Sequence, residues 1–225
     1  MTGVQTCALP ISAAAPDPAW LDAVRHHRVD DLRRGLQHHL LQHGLLATLD
    51  QAIGPLAAQV GAAWATGELT VVQEHLFSEV VEAVLRETIA SLAHAGGERR
   101  RPRVLLTTLP GEQHTLGLLM AEGALALQGC ERLPLGPSTP IAEIAAAARR
   151  LEVDVVALGT SANAQARALR ADLQRLRQGL PESSEIWLGG PVRALLGRQP
   201  VPGVVLIERM AELPALIDAW RDERT

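Results

Sequence analysis

The chain has 225 residues, 47% of them hydrophobic but only 2% aromatic and none of them Tyr, so any core it builds is aliphatic. All 21 basic residues are Arg, set against 25 acidic residues for a net charge of -4. The absence of Lys excludes a Walker-type phosphate loop and Schiff-base chemistry, and the acidic balance argues against a dedicated nucleic-acid surface. Cys7 and Cys130 form neither a zinc spacing nor a disulfide framework, which points to a reduced, cytoplasmic setting. No apolar run is long enough to span a bilayer, so no membrane association is expected.

The start, Met1 to Ser12, lacks the basic flank and apolar core of a secretory signal. The string MTGVQTCALPIS resembles translated sequencing-adapter read-through, which would mean that a native N-terminal segment, and with it a domain, is missing; a short natural tail is the other reading. Residues 1–15 are therefore set apart as a tail. From Trp20 to His94 the pattern is helical. Leu32, Leu36, Leu40 and Leu41 recur at helical spacing, as do Leu45, Leu49, Ile53 and Leu56. Gly44 and the Gly67-Glu68 pair punctuate the run, and Thr70 opens a last long helix. Four helices follow, over roughly 18–26, 29–43, 45–66 and 70–94, and their short connections predict a bundle over residues 16–95. His39 and His43 stand four apart on a helix, with His26, His27 and His38 nearby. No carboxylate or Cys completes a zinc set, so these rings are read as solvated surface.

Residues 96–102, within the Gly- and Arg-rich stretch AGGERRRPR, read as a solvated linker. Beyond it, strand and helix signals alternate. Strands are expected at 103–108, 131–135, 153–158, 185–189 and 203–208, with helices at 114–128, 140–151, 163–179, 191–197 and 210–222. This is the arithmetic of a doubly wound, five-stranded parallel sheet, Rossmann or flavodoxin-like, over residues 103–225. In such a sheet ligands sit outside the carboxyl ends of the strands.

The loop after the first of these strands reads Pro110-Gly111-Glu112-Gln113-His114-Thr115-Leu116-Gly117. Its imidazole suits a transition metal, Glu112 can accept the other ring N–H, and Gly117 admits a bulky group at the helix start. Later strand-end loops supply Leu135-Gly136-Pro137 with Pro140, Gly159-Thr160-Ser161, and Gly189-Gly190. Together these resemble the cobalamin-binding domains that hold the cofactor with a protein His in place of its own nucleotide base. Their pattern is D-x-H-x-x-G, then L-G-x-x-x-P, S-x-L and G-G. The resemblance implies that His114 is the lower axial ligand of cobalt, that Glu112 orients it, and that Gly117, Leu135, Gly136, Gly159, Thr160, Ser161, Gly189 and Gly190 line a slot for the displaced nucleotide tail. Two departures stand out. Glu replaces Asp at 112, and Gly159 replaces the Ser that bonds the tail, leaving Thr160 or Ser161 to substitute.

In the bundle, Trp64, Val71, Glu74 and His75 meet a W-x(9)-E-H pattern. This resembles the bundle of light-responsive, adenosylcobalamin-binding transcriptional regulators of the MerR type, without their DNA-binding domain. The resemblance implies that Trp64 packs over the upper axial group, that Val71 and Glu74 shape its pocket, and that His75 reaches cobalt once light has broken the cobalt–carbon bond. The expected protein is thus a sensor rather than an enzyme, with adenosylcobalamin as cofactor, a ligand-dependent homo-oligomer, and DNA reached only through a missing domain or a partner protein. A corrinoid methyl carrier serving a methyltransferase is the alternative. A stand-alone cobalamin sensor that binds another transcription factor is a third reading.

Overall fold

The computed structural model describes residues 17–94, 100–197 and 201–224. The tail at 1–15, with Cys7, and residues 96–99 of the expected linker lie outside the described residues. Four α-helices come first: α1 (Pro18–Arg25), α2 (Val29–Ala47), α3 (Gly54–Ala65) and α4 (Val71–His94). Asp17 caps α1, its side chain accepting from the Ala19 N–H at 2.9 Å. Thr70 and Gln73 form a reciprocal cap at the start of α4: the Gln73 N–H donates to Thr70 Oγ1 at 3.3 Å and the Thr70 N–H to Gln73 Oε1 at 2.8 Å. Gln73 also donates to the Arg25 carbonyl at 2.7 Å, tying the start of α4 to the end of α1.

The third helix departs from expectation. The expected break at Gly44 is present as a kink, φ 77° and ψ 171°, inside α2, but the helix expected over 45–66 is not uniform: residues Thr48–Ile53 form a π-helical segment before α3 begins. Leu32, Leu36, Leu45, Leu49, Ile53 and Leu56 are buried as expected, but Leu41 is 87% exposed. The leucine run is longer than the buried stripe of one helix, so one of its members faces out. His39 also departs from the solvated-surface reading. Its Nδ1 lies 2.8 Å from Thr48 Oγ1 and its ring packs edge-on to Trp20 at 5.7 Å. Burial, and then the neighbouring His43, hold its pKa below the ordinary value.

The second half alternates strand and helix: β1 (Arg100–Thr108), α5 (Leu116–Leu127), β2 (Cys130–Gly136), α6 (Ile141–Arg150), β3 (Val155–Gly159), α7 (Ala166–Gly179), β4 (Glu185–Gly189), α8 (Val192–Leu196), β5 (Val204–Ile207) and α9 (Leu213–Asp222). The first strand begins at Arg100, inside the stretch expected to be linker. All five strands are parallel, in the order β2-β1-β3-β4-β5. The order reverses at β1, so β1 and β3 flank the crevice where such sheets take ligands. Thr108, Gly159 and Gly189 lie side by side in register, making the strand tips level there.

Alternation along the strands sends side chains to two cores. Leu105, Val156, Leu158, Ile186 and Leu188 pack with residues of α6, α7 and α8. Val104, Leu106, Val155, Ala157 and Trp187 pack with α5 and α9, and this core continues without a break into the bundle through Leu49, Ile53, Val81 and Leu85. Cys130 is buried in the same core, and burial pushes its thiol up to about 11, so it stays neutral at ordinary pH. Among the described residues, no helix is long and apolar enough to cross a membrane.

Candidate cofactor site at the strand tips

The helix α5 returns down one face of the sheet from the tip of β1. Thr115, just before α5, donates to Glu82 of α4 at 3.2 Å. Further along, a Cβ at Gly123 would stand 3.7 Å from Ile89. Both contacts advance together along the two chains, so α4 runs beside α5 in the same direction. The part of α4 before Glu82 must then extend past the strand tips. From Val71 to Glu82 that overhang rises about 16 Å at 1.5 Å per residue. Helical periodicity puts Val71, His75 and Ser78 nearly in line with Glu82, with Glu74 at the edge of the stripe. A shallow recess on the bundle, lined by Val24, Leu32, Phe77 and Val80, uses the opposite face of α4 and takes no part in the site.

Beneath the overhang, the loop after β1 carries His114 with its side chain 62% exposed, while Glu112 beside it keeps only 13%. The His114 ring places Nδ1 2.5 Å from Glu112 Oε1, and the His114 N–H donates to the same oxygen at 3.0 Å. The other oxygen, Oε2, accepts from the Ser161 hydroxyl at 2.7 Å and from its N–H at 2.9 Å. A carboxylate offers only acceptors, so Nδ1 carries a proton, and in the neutral ring Nε2 keeps a free lone pair, the form a metal requires. Burial alone would raise the Glu112 pKa. The bonds from the Ser161 hydroxyl, the His114 ring and the two N–H groups outweigh it and hold the carboxyl at about 2. Glu112 thus joins the β1 loop to the β3 loop and fixes the tautomer of His114.

The sequence-predicted glycines divide by what surrounds them. Nothing stands within 4 Å of a Cβ placed on Gly117 or Gly136, and at Gly189 the nearest atom is at 3.9 Å. These three leave open space. At Gly190, with φ 118°, a Cβ would collide with the Thr160 carbonyl oxygen, so this glycine allows two loops to touch rather than keeping a slot clear. The loops also meet where the Thr160 N–H donates to the Gly189 carbonyl at 3.1 Å. A Cβ at Gly159 would press on Leu118 at 3.2 Å. Leu135, next to last in β2, is exposed. Ser161 spends its hydroxyl proton on Glu112, so only its lone pairs face another group.

On the bundle, Trp64 is 44% exposed and Val71 is exposed as well, so neither is a core residue. Trp64 stands near the end of α3, just before the connection to α4, at the outer end of the overhang. His75 repeats the arrangement of His114: its Nδ1 lies 2.6 Å from Glu74 Oε2, and Glu74 Oε1 accepts from the Ser78 hydroxyl at 2.9 Å. Among the described residues no hydrogen bond joins this pair to the Glu112–His114 pair; the polar bridge from overhang to loop is Thr115 to Glu82. Sequence reasoning missed Glu82, Thr115 and Ser78, along with Thr107, Thr108 and Ser138 beneath the loop. The consecutive threonines ending an aliphatic strand were the one signal available.

Residues 19–87 match one family model and residues 102–217 a second, each described as a B12 binding domain. The HTH-type transcriptional repressor CarH of Myxococcus xanthus is 38% identical over 145 residues, 64% of this chain and 47% of that protein. The chain therefore spans about half the length of that relative. The monomethylamine corrinoid protein of Methanosarcina barkeri superposes with a TM-score of 0.67 at 16% identity, over 89% of this chain and 96% of that one, a likeness of fold. The methanol:cobalamin methyltransferase complex MtaBC of the same organism gives a TM-score of 0.47 at 17% identity, over 91% of this chain and 80% of that one.

Proposed function

The chain belongs to the B12-binding domain family, and from that premise we propose that it is a light-responsive regulatory module whose ligand is adenosylcobalamin. The observation that carries this reading is the chain of bonds from Ser161 through Glu112 to His114, which leaves one exposed imidazole nitrogen, Nε2, at the tip of β1. The residues present fit a corrinoid. Nε2 is a donor of the right chemistry, and open space at Gly117 and Gly136 suits a tail passing beside the sheet. On this reading His114 would ligate the cobalt, Glu112 would orient it, and Leu135, Gly136, Gly159, Thr160, Ser161, Gly189 and Gly190 would line the space for the nucleotide tail. Residues 17–94 serve as a cap and 100–224 as the cofactor domain. Bound adenosylcobalamin supplies a cobalt–carbon bond that green light breaks.

Trp64 and Val71 would shelter the cofactor from water, and Glu74, which holds the His75 ring through Nδ1, would leave His75 Nε2 as a second donor for the metal. A change in the bound cofactor would alter how tightly the cap holds it, and with that the oligomer. The similarity to a transcriptional repressor supports a regulatory output, delivered to DNA by a separate DNA-binding unit. The test is an absorption spectrum of the protein with adenosylcobalamin before and after green light, beside gel filtration in each state. A His-ligated spectrum that changes with light, together with a shift in oligomer size, is expected. A spectrum identical to that of the free cofactor sinks the reading.

One observation favours a second reading. The exposure of Trp64 and Val71 leaves the upper side accessible, as a methyl-carrying corrinoid protein requires. A carrier would accept methyl from a partner enzyme, cycle through Co(I) and show no light-driven change in size.

A further inference from the structure

The first strand ends on Thr107 and Thr108, both fully buried. Buried hydroxyls need partners. Thr107 finds them in the Gly136 carbonyl and the Thr139 hydroxyl, each at 2.7 Å. Thr108 makes a different set. Its single proton goes to the Glu112 carbonyl at 2.6 Å, its oxygen accepts the Ser138 N–H at 2.7 Å, and its carbonyl accepts the Thr139 N–H at 3.2 Å. Ser138 in turn accepts the Gly111 N–H on Oγ at 3.0 Å. It does so from a left-handed backbone, φ 55°, that an L residue adopts only when its surroundings impose it.

These bonds converge on Gly111 and Glu112, the two residues just before Gln113 and His114. Gly111, at φ 85°, adds no stiffness of its own. Resting on the reading of His114 as axial ligand, the geometry points to Thr108 and Ser138 as positioning residues. They pin the backbone of Glu112 and Gly111, so that the carboxylate meets the His114 ring before any cofactor arrives. The β2 loop therefore acts on the metal ligand without touching it. A purely structural role would only close the strand tips and would leave the imidazole unaffected.

The test is histidine ¹⁵N NMR of the cofactor-free chain at mildly alkaline pH, with the His114 signals identified by their loss in His114→Ala. Wild type is expected to hold His114 as a single Nδ1–H tautomer. Thr108→Val strips the bridging hydroxyl and is expected to give a tautomer mixture and roughly 10-fold weaker binding of hydroxocobalamin. Thr108→Ser restores both. A folded Thr108→Val chain with the wild-type tautomer overturns the proposal. If Thr108→Val does not fold, Ser138→Ala decides: a mixed tautomer supports the proposal and an unchanged one removes it. Should wild type and Thr108→Val differ as expected while added hydroxocobalamin keeps its free spectrum, the positioning stands and the cofactor reading falls.

Discussion

Glu112 has two loops to join and one ring to orient, and its charge does both. All four of its hydrogen bonds come from donors, two on each oxygen. Glu112→Gln cannot satisfy them: whichever way the amide turns, its NH₂ faces donors of either Ser161 or His114. The substitution should cost about 1–3 kcal/mol of stability at pH 7, measured by urea denaturation, and weaken cobalamin binding by roughly 10–100-fold. The wild-type carboxyl is held at about 2 against an ordinary 4.5. Its contribution is therefore complete above about pH 4.5 and fades as pH falls toward 2, so the gap between wild type and Glu112→Gln should narrow across that window. A gap independent of pH would show that the charge is not what matters. Trp64 is the opposite kind of residue. At 44% exposure it contributes little to the core, and Trp64→Ala should leave the melting temperature nearly unchanged while loosening the preference for a bulky upper group over methylcobalamin. Equal affinities for the two cofactors in wild type would remove its sheltering role.

Within single elements, glycines separate ligand space from backbone need. Gly117 sits in the first turn of α5 with ordinary φ and nothing within 4 Å of a Cβ. Alanine there should raise stability by about 0.5–1 kcal/mol, because a helix prefers it, and should lower cobalamin affinity if the space is a cofactor's. Opposite signs in a thermal melt and a binding titration are the expected result; affinity unchanged would mean the space is unused. Gly190→Ala should be destabilising in itself, through collision with the Thr160 carbonyl. From the sequence these two glycines looked alike, since spacing reports position and not surroundings. The elements themselves were legible: β4 falls on its expected residues 185–189, and α1 and α4 begin within one residue of expectation. Capping and turn signals are local, and local signals survive in a sequence. The kink at Gly44 was legible because a glycine marks it, but the π-helical segment at Thr48–Ile53 was not, because its apolar pattern continues that of its neighbours.

For the whole molecule, what matters is how the bundle is held over the sheet. The two-part organisation could be read from the change of periodicity near residue 95, and the histidine loop from its place after a strand. The contacts between the two parts could not, because they join residues far apart in the chain whose types are common on any surface. Thr115 with Glu82 is one such contact. Asp50 with Arg209 is another, linking the π-helical segment to the loop after β5. The two partners of this ion pair are unequally placed: the Asp50 side chain is 6% exposed and that of Arg209 54%. Removing Arg209 strands a buried carboxylate with little beyond a long, 3.4 Å bond from the Ala211 N–H, whereas Asp50→Asn releases an Arg that solvent can satisfy. Arg209→Ala should therefore cost about 2 kcal/mol or more in urea denaturation and Asp50→Asn about 1 kcal/mol or less, although both delete the same ion pair. If instead the two losses match, the pair acts as a surface contact and does not anchor the bundle above the strand tips.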